Sequence, residues 1–107
     1  MALLSNHVST AKEVIALQPE ELAGFMLESL AALPPSNGGA WCLNNFFIEV
    51  RSEYEAMPSA VLEELEASIS TAWLWLAVNG LIWQKHDSNW YALSAKGKQA
   101  AQEGRLQ

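Results

Sequence analysis

The run WLWLAVNGLIW at residues 73–83, followed by WYALSAKG at residues 90–97, is the feature that most constrains the fold. Its first part is an apolar helix that meets Gly80, the residue type that most readily adopts the left-handed conformation after a helix end. Residues 81–85 and 89–93 are short β-rich stretches on either side of the polar loop 86–88. The predicted order is therefore helix, glycine stop, strand, loop, strand.

The two predicted strands can be aligned residue by residue. With residues 87–88 at the tip, Trp83 and Trp90 become diagonal neighbours on the outward side of the hairpin. The cross-strand pairs on one side are Ile82 with Leu93 and Gln84 with Tyr91, and on the other Trp83 with Ala92 and Lys85 with Trp90.

Helices are predicted upstream of the hairpin. Thr10 and Glu13 have the spacing of a capping box for a short helix, and Pro19 suits the first position of the next helix. That helix has apolar residues at three- and four-residue steps up to Leu33, before the loop PPSNGG at residues 34–39.

Two further helices follow this loop. Asn44 or Asn45 is expected to cap the second main helix. The third main helix runs from about Ser59 to Asn79, after the break MPS at residues 57–59. Residues 95–107 are small and polar, which predicts a short helical or frayed tail. The expected core stripe of the third helix comprises Leu62, Leu65, Ile69, Ala72, Trp73 and Leu76.

This order, together with residues 73–74, 79–82, 90–93 and 96–97, resembles the winged-helix branch of the helix-turn-helix superfamily. The resemblance covers residues 20–98 and implies an α+β, mostly helical fold, with three main helices, a short N-terminal helix and a two-stranded β-hairpin wing. It divides the chain into a short helix packing on the domain (1–18), the winged-helix domain (19–98) and a polar C-terminal tail (99–107). Winged helices mostly bind DNA, sometimes bind proteins and rarely catalyse.

A second resemblance rests on Asn44-Asn45-Phe46 and on residues 73–82. These segments are similar to the N-terminal region of some longer uncharacterised bacterial proteins. This similarity implies a bacterial module that is, or once was, attached to something larger.

The charge distribution argues against DNA, the usual ligand of winged helices. The net charge is −6, with two cations against ten glutamates in residues 1–79 and four cations against two acids in residues 80–107. No Lys or Arg lies between Ser52 and Gln84. The first two turns of the third helix hold Glu63, Glu64 and Glu66, which are expected to form a solvated face. DNA binding rests on cations that neutralise phosphates, so this helix is a poor reader of the major groove.

The remaining chemistry is sparse. The single cysteine, Cys42, is expected to be a small buried hydrophobe and indicates a reducing cytoplasm, since no internal disulfide can form. His7 and His86 are too far apart in sequence for zinc-site spacing, and no apolar run has the length of a membrane span. We expect no catalytic residue, no metal and no cofactor.

The tryptophans offer the main candidate contacts. Trp73 is expected in the core, so Trp75, about 200° further around the helix, should be partly exposed or packed under the N-terminal helix. Trp83 and Trp90 either cover each other and the underside of an N-terminal segment, or form with Lys85 an aromatic patch that docks a partner.

The leading hypothesis is a cytoplasmic, non-catalytic module for protein interaction or dimerisation. Its partner is a protein or a second copy, and its contacts are Trp75, Trp83, Lys85 and Trp90. The alternative is a DNA-binding regulator that contacts phosphates through wing and tail. The cations of that alternative, which are equally interpreted as solubilising charges, are Lys85, Lys96, Lys98 and Arg105.

Overall fold

The computed structural model describes residues 4–5, 8–32, 40–54, 56–85 and 89–103. In this part of the chain the fold is α+β and mostly helical, as expected, with a small antiparallel sheet. The elements in chain order are α1 (Ala11–Ala16), α2 (Pro19–Ala32), β1 (Ala40–Cys42), α3 (Leu43–Ser52), α4 (Ser59–Val78), β2 (Ile82–Gln84), β3 (Trp90–Leu93) and α5 (Ala95–Glu103).

The sheet confirms the hairpin and adds a strand to it. Ile82 pairs with Leu93 and Trp83 with Ala92, which is the predicted register. The expectation of two strands was wrong, because β1 pairs along the other edge of β3 and gives the order β1-β3-β2. A three-residue strand that runs directly into a helix is too short to show an alternating pattern, so sequence periodicity missed it.

The helix starts follow local capping chemistry in part. Thr10 caps α1 as predicted, since Glu13 donates its backbone N–H to Thr10 Oγ1 at 3.2 Å. The Glu13 carboxylate accepts from the Thr10 hydroxyl at 3.1 Å, whereas in a complete capping box it would accept from the Thr10 backbone N–H. Helix α2 begins at Pro19, as predicted. The predicted cap of α3 was wrong: Cys42 is the N-cap residue, because β1 turns straight into the helix and leaves both asparagines inside its first turn.

The core forms around α4, which packs against α1, α2 and α3. Helix α5 packs against α2. Residues 95–107 are expected to be a short helical or frayed tail, and residues 95–103 of that segment are helical. Leu33 and the loop at residues 34–39 lie outside the described residues. The largest fully buried side chains are Phe46, Leu4, Leu22, Met26, Leu27, Leu65, Ile69, Leu76, Val14 and Val50.

Helix α4 ends in the left-handed turn expected at Gly80, whose φ is +73°. Gly80 N–H donates to the Ala77 carbonyl at 3.1 Å, and Leu81 N–H donates to the Leu76 carbonyl at 2.9 Å. This pair of bonds is the Schellman motif, and the burial of Leu76 and Leu81 supplies its usual apolar contact. The turn directs the chain back along the core as β2.

The start of α5 is fastened to this same turn, at what we call the Gly80–Leu81 junction. Ser94 donates its backbone N–H to the Leu81 carbonyl at 3.1 Å and its hydroxyl to the Gly80 carbonyl at 2.6 Å. The Ser94 hydroxyl oxygen also accepts the N–H of Gly97 at 2.9 Å. Gly97 is buried against the Leu81 carbonyl, where a Cβ atom would overlap the oxygen. The segment Ser-Ala-Lys-Gly at residues 94–97 thus has a structural role, because it joins the start of α5 to the turn that follows α4.

The N-terminal segment is anchored at the end of α3. Leu4 and Ser5 donate their backbone N–H groups to Glu53 Oε1 at 2.9 and 3.0 Å. The Tyr54 hydroxyl donates to the Val8 carbonyl at 2.9 Å. Burial, with smaller contributions from the carboxylates of Glu53 and Glu13, raises the pKa of Tyr54 from 10.0 to about 12. These bonds hold Leu4 in the core.

Candidate functional site

The face of the sheet turned away from α4 carries the two hairpin tryptophans. Ile82 is buried and the ring of Tyr91 packs edge-on to Trp73, with 5.8 Å between ring centroids, so their side of the sheet faces the core. Because side chains alternate along a strand, the opposite side carries their neighbours. We call this the outer sheet face, formed by Ala40, Cys42, Trp83, Lys85, Trp90 and Ala92.

Exposure on the outer sheet face is concentrated at its β2 edge. Trp83 is 47 % exposed, whereas Ala40 in the opposite edge strand is only 2 % exposed. The Lys85 ammonium lies 6.0 Å from the Trp83 ring centroid. At an exposed site such a cation–π contact contributes about 0.5–1 kcal/mol, so it orients both side chains more than it stabilises the fold.

The described part of the N-terminal segment is hydrogen-bonded to the residues that follow α3. Its backbone hydrogen bonds go to Glu53 and Tyr54 beyond α3, and α1 packs along α4. Trp83 keeps nearly half of its surface, while Trp90 is half-buried. Of the two interpretations left open by the sequence, the exposed patch therefore fits Trp83 better than it fits Trp90.

The two tryptophans of α4 separate as their spacing predicts. Trp73 is 4 % exposed and also contacts the Phe46 ring, with 5.7 Å between centroids. Trp75 is half-buried and packs against the core, so only part of its ring reaches the surface. Trp73 is thus confirmed in the core, and Trp75 contributes a partly covered surface.

Three of the four cations of the DNA alternative lie in the described residues, and each has different surroundings. The Lys96 ammonium donates to the Asn79 carbonyl at 3.0 Å, so it caps the C-terminal end of α4. Lys85 lies over Trp83, Lys98 is exposed on α5, and Arg105 lies outside the described residues. Glu63, Glu64 and Glu66 are exposed, as expected for a solvated face.

A second exposed apolar surface runs along α4 and was missed by sequence reasoning. Leu74 is 62 % and Val78 is 76 % exposed, and Ala67 and Thr71 continue the line with exposed side chains. We call these four residues the α4 outer stripe. Their spacing of four, three and four residues is that of a coiled-coil seam, the signal that could have identified them.

Other kinds of site find little support in the described residues. They contain no cluster of three or more His, Cys, Asp or Glu side chains that could hold a metal ion. Among the helices of the described residues, none has the length and apolarity needed to cross a membrane. Cys42, expected to be buried, is half-buried at the start of α3. His7, His86 and the hairpin tip lie outside the described ranges.

Comparison with known proteins leaves the fold and these surfaces as the only guide to function. No protein-family model, no curated protein and no solved structure matches the chain.

Proposed function

We propose that this chain is a non-catalytic binding module of the winged-helix type whose function is association with a second copy of itself. The winged-helix assignment is supported by the order α2, α3, α4 and hairpin β2–β3, with left-handed Gly80 between helix and hairpin. The function rests on one observation: the largest exposed apolar side chains of the described residues include Leu74, Val78 and Trp83, all on α4 or the strand that follows it.

The side chains of this region favour contact with a partner surface that is also uncharged. Residues 67–84 contain no Asp, Glu, Lys or Arg. A two-fold interface brings the same patch of both copies together, so the patch has to be complementary to itself. An uncharged apolar surface meets that condition, because it opposes no like charges.

Charge also selects the direction in which two α4 helices pair. In an antiparallel pair crossing at Leu74, Glu64 lies about 15 Å from the crossing point, at 1.5 Å per residue. The two glutamate clusters are then roughly 30 Å apart, well beyond the screening length of about 8 Å at physiological salt. A parallel pair would oppose Glu64 to Glu64, so the antiparallel arrangement is proposed.

The size of the patch predicts a weak dimer. The α4 outer stripe is about 16 Å long. Even with Trp83 included, such a contact falls short of the roughly 1,600 Å² of a standard interface. We therefore expect reversible association with a dissociation constant in the micromolar range or weaker. This corresponds to a binding free energy of about −8 kcal/mol or smaller in magnitude.

Sedimentation equilibrium of the full chain over a wide concentration range tests the proposal. Leu74→Glu should give a monomer, because its two carboxylates would face each other at the crossing point. Val78→Glu should weaken association by burying a carboxylate against the uncharged stripe of the second copy, and Trp83→Ala should weaken it as well. Ile48→Glu is the matched control, since Ile48 is 46 % exposed on α3, away from the α4 outer stripe. A wild-type chain that stays monomeric, or a Leu74→Glu chain that associates as well as wild type, would reject the proposal.

The DNA alternative has a separate test. Replacing Lys85, Lys96, Lys98 and Arg105 together by Ala should leave binding to duplex DNA unchanged and negligible, because the proposed surface contains none of the phosphate contacts on which such binding rests. Fluorescence anisotropy at several salt concentrations measures this. Steep salt-dependent binding by the wild-type chain that the fourfold variant loses would favour the regulator instead.

A further inference from the structure

A cleft of about 390 Å³ opens between the start of α3, the middle of α4 and β3. This volume lies at the lower end of the range of about 300–1,000 Å³ that is usual for small-molecule sites. Apart from Cys42, its lining residues belong neither to the outer sheet face nor to the α4 outer stripe. The lining residues that matter here are Asn44, Phe47, Glu66, Ser70, Trp73 and Tyr91.

One wall of the cleft is aromatic and fixed in place. Phe47 and Trp73 are buried and Tyr91 is half-buried. Trp73 is held between Phe46 and Tyr91 by tilted and edge-on ring contacts. A flat or large apolar group placed here would meet a surface whose side chains need no reordering, which reduces the entropy cost of binding.

The residues that line the cleft include one with an unpartnered indole donor and the first residues of a helix. The Trp73 indole Nε1–H is buried and has no hydrogen-bond partner within the described part of the chain. Helix α3 begins at the same cleft with no side-chain cap and no acidic residue in its first turn. The first backbone N–H groups of a helix have no partner inside the helix and attract acceptors with negative charge.

The charge of the lining adds a second requirement. Glu66 is the one charged residue that lines the cleft among the residues described, and no Lys or Arg lies within residues 52–84. An anion alone would be repelled by this carboxylate, whereas a ligand with a cationic group beside its anionic group would satisfy both ends.

We propose that this cleft binds a small zwitterion of the α-amino acid class with an aromatic or large apolar side chain. Its carboxylate accepts from the N–H groups at the start of α3, and its ammonium group lies beside Glu66. Its side chain packs on the wall of Phe47 and Trp73. This inference does not depend on self-association.

The probes are L-phenylalanine, phenethylamine, which lacks the carboxylate, and hydrocinnamate, which lacks the ammonium group. The readout is the proton–nitrogen NMR spectrum of the tryptophan indoles. L-Phenylalanine should shift the Trp73 indole signal in a saturable way and leave the Trp83 signal in place. Each half-ligand should bind about two- to fivefold more weakly, the size expected for helix-end and exposed charge contacts.

Two variants complete the test. Glu66→Gln should abolish the preference for L-phenylalanine over hydrocinnamate, and Glu63→Gln, an exposed change on the same helix outside the lining, should preserve it. A Trp73 signal that none of the three probes moves would overturn the proposal. So would equal binding of phenethylamine and L-phenylalanine, or a Glu63→Gln variant that behaves like Glu66→Gln.

Discussion

Gly97→Ala should destabilise the fold strongly, although alanine is usually the better helix former. The added Cβ would overlap the Leu81 carbonyl oxygen and lie 3.0 Å from the carbonyl carbon, both of them backbone atoms that no side-chain rotation can move. Helix α5 would have to shift, and the hydrogen bond from Gly97 N–H to Ser94 Oγ, 2.9 Å long, would stretch. The change therefore acts on the Gly80–Leu81 junction as a whole.

The magnitude follows from opposing contributions. Overpacking against rigid neighbours costs about 1–3 kcal/mol, and loss of a hydrogen bond adds about 1 kcal/mol. The gain in helix propensity is at most about 1 kcal/mol. The net loss is about 2 kcal/mol. With about 2.1 cal/mol/K per residue of unfolding entropy, this lowers the Tm by about 9 °C for a chain of this length.

Thermal unfolding followed by circular dichroism measures this shift. Gln102→Ala is the matched control, because Gln102 is exposed on the same helix and its replacement should leave the Tm within about 2 °C, as for most surface changes. If Gly97→Ala unfolds at the wild-type temperature or above it, α5 is not fastened to Leu81 as described.

Two further predictions concern the anchored N-terminal segment. Tyr54→Phe should cost about 1 kcal/mol by removing the hydrogen bond to the Val8 carbonyl. Because the folded pKa of Tyr54 is raised to about 12, its protonated form adds stability that is complete below pH 10.0 and lost as the pH rises through about 12. Urea unfolding should show this alkaline loss in wild type and a shallower one in Tyr54→Phe; equal slopes would contradict it. Glu53→Ala should expose the amides of Leu4 and Ser5 to fast hydrogen exchange, whereas Glu53→Gln, which keeps one acceptor oxygen, should protect them better. Unchanged protection in Glu53→Ala would count against the anchor.

The sequence was most informative where local chemistry decides the structure. Thr10, Pro19 and Gly80 act through capping, ring geometry and left-handed backbone, all of which depend on a few neighbouring residues. The hairpin register follows from burying Ile82 opposite Leu93 and leaving Trp83 outside.

Features that depend on contacts distant in the sequence were not predicted. Strand β1 exists only because β3 offers it an edge, and its presence moved the start of α3 from the asparagines to Leu43. Lys96 looked like a phosphate contact until the fold brought it to the Asn79 carbonyl, seventeen residues away. The exposure of Leu74 and Val78 depends on which face of α4 the other helices cover, so their spacing indicates an apolar seam but not that the seam is exposed.

The Gly80–Leu81 junction also determines how the backbone around Trp83 opens to solvent. The end of α4, the start of β2 and the start of α5 all bond to the same two peptide units. Their amides should therefore exchange with solvent as one cooperative unit, through a single opening event rather than by separate fraying. Trp83 follows this junction by two residues, so its backbone is held in place while the junction is closed, and a partner would find the ring already in position.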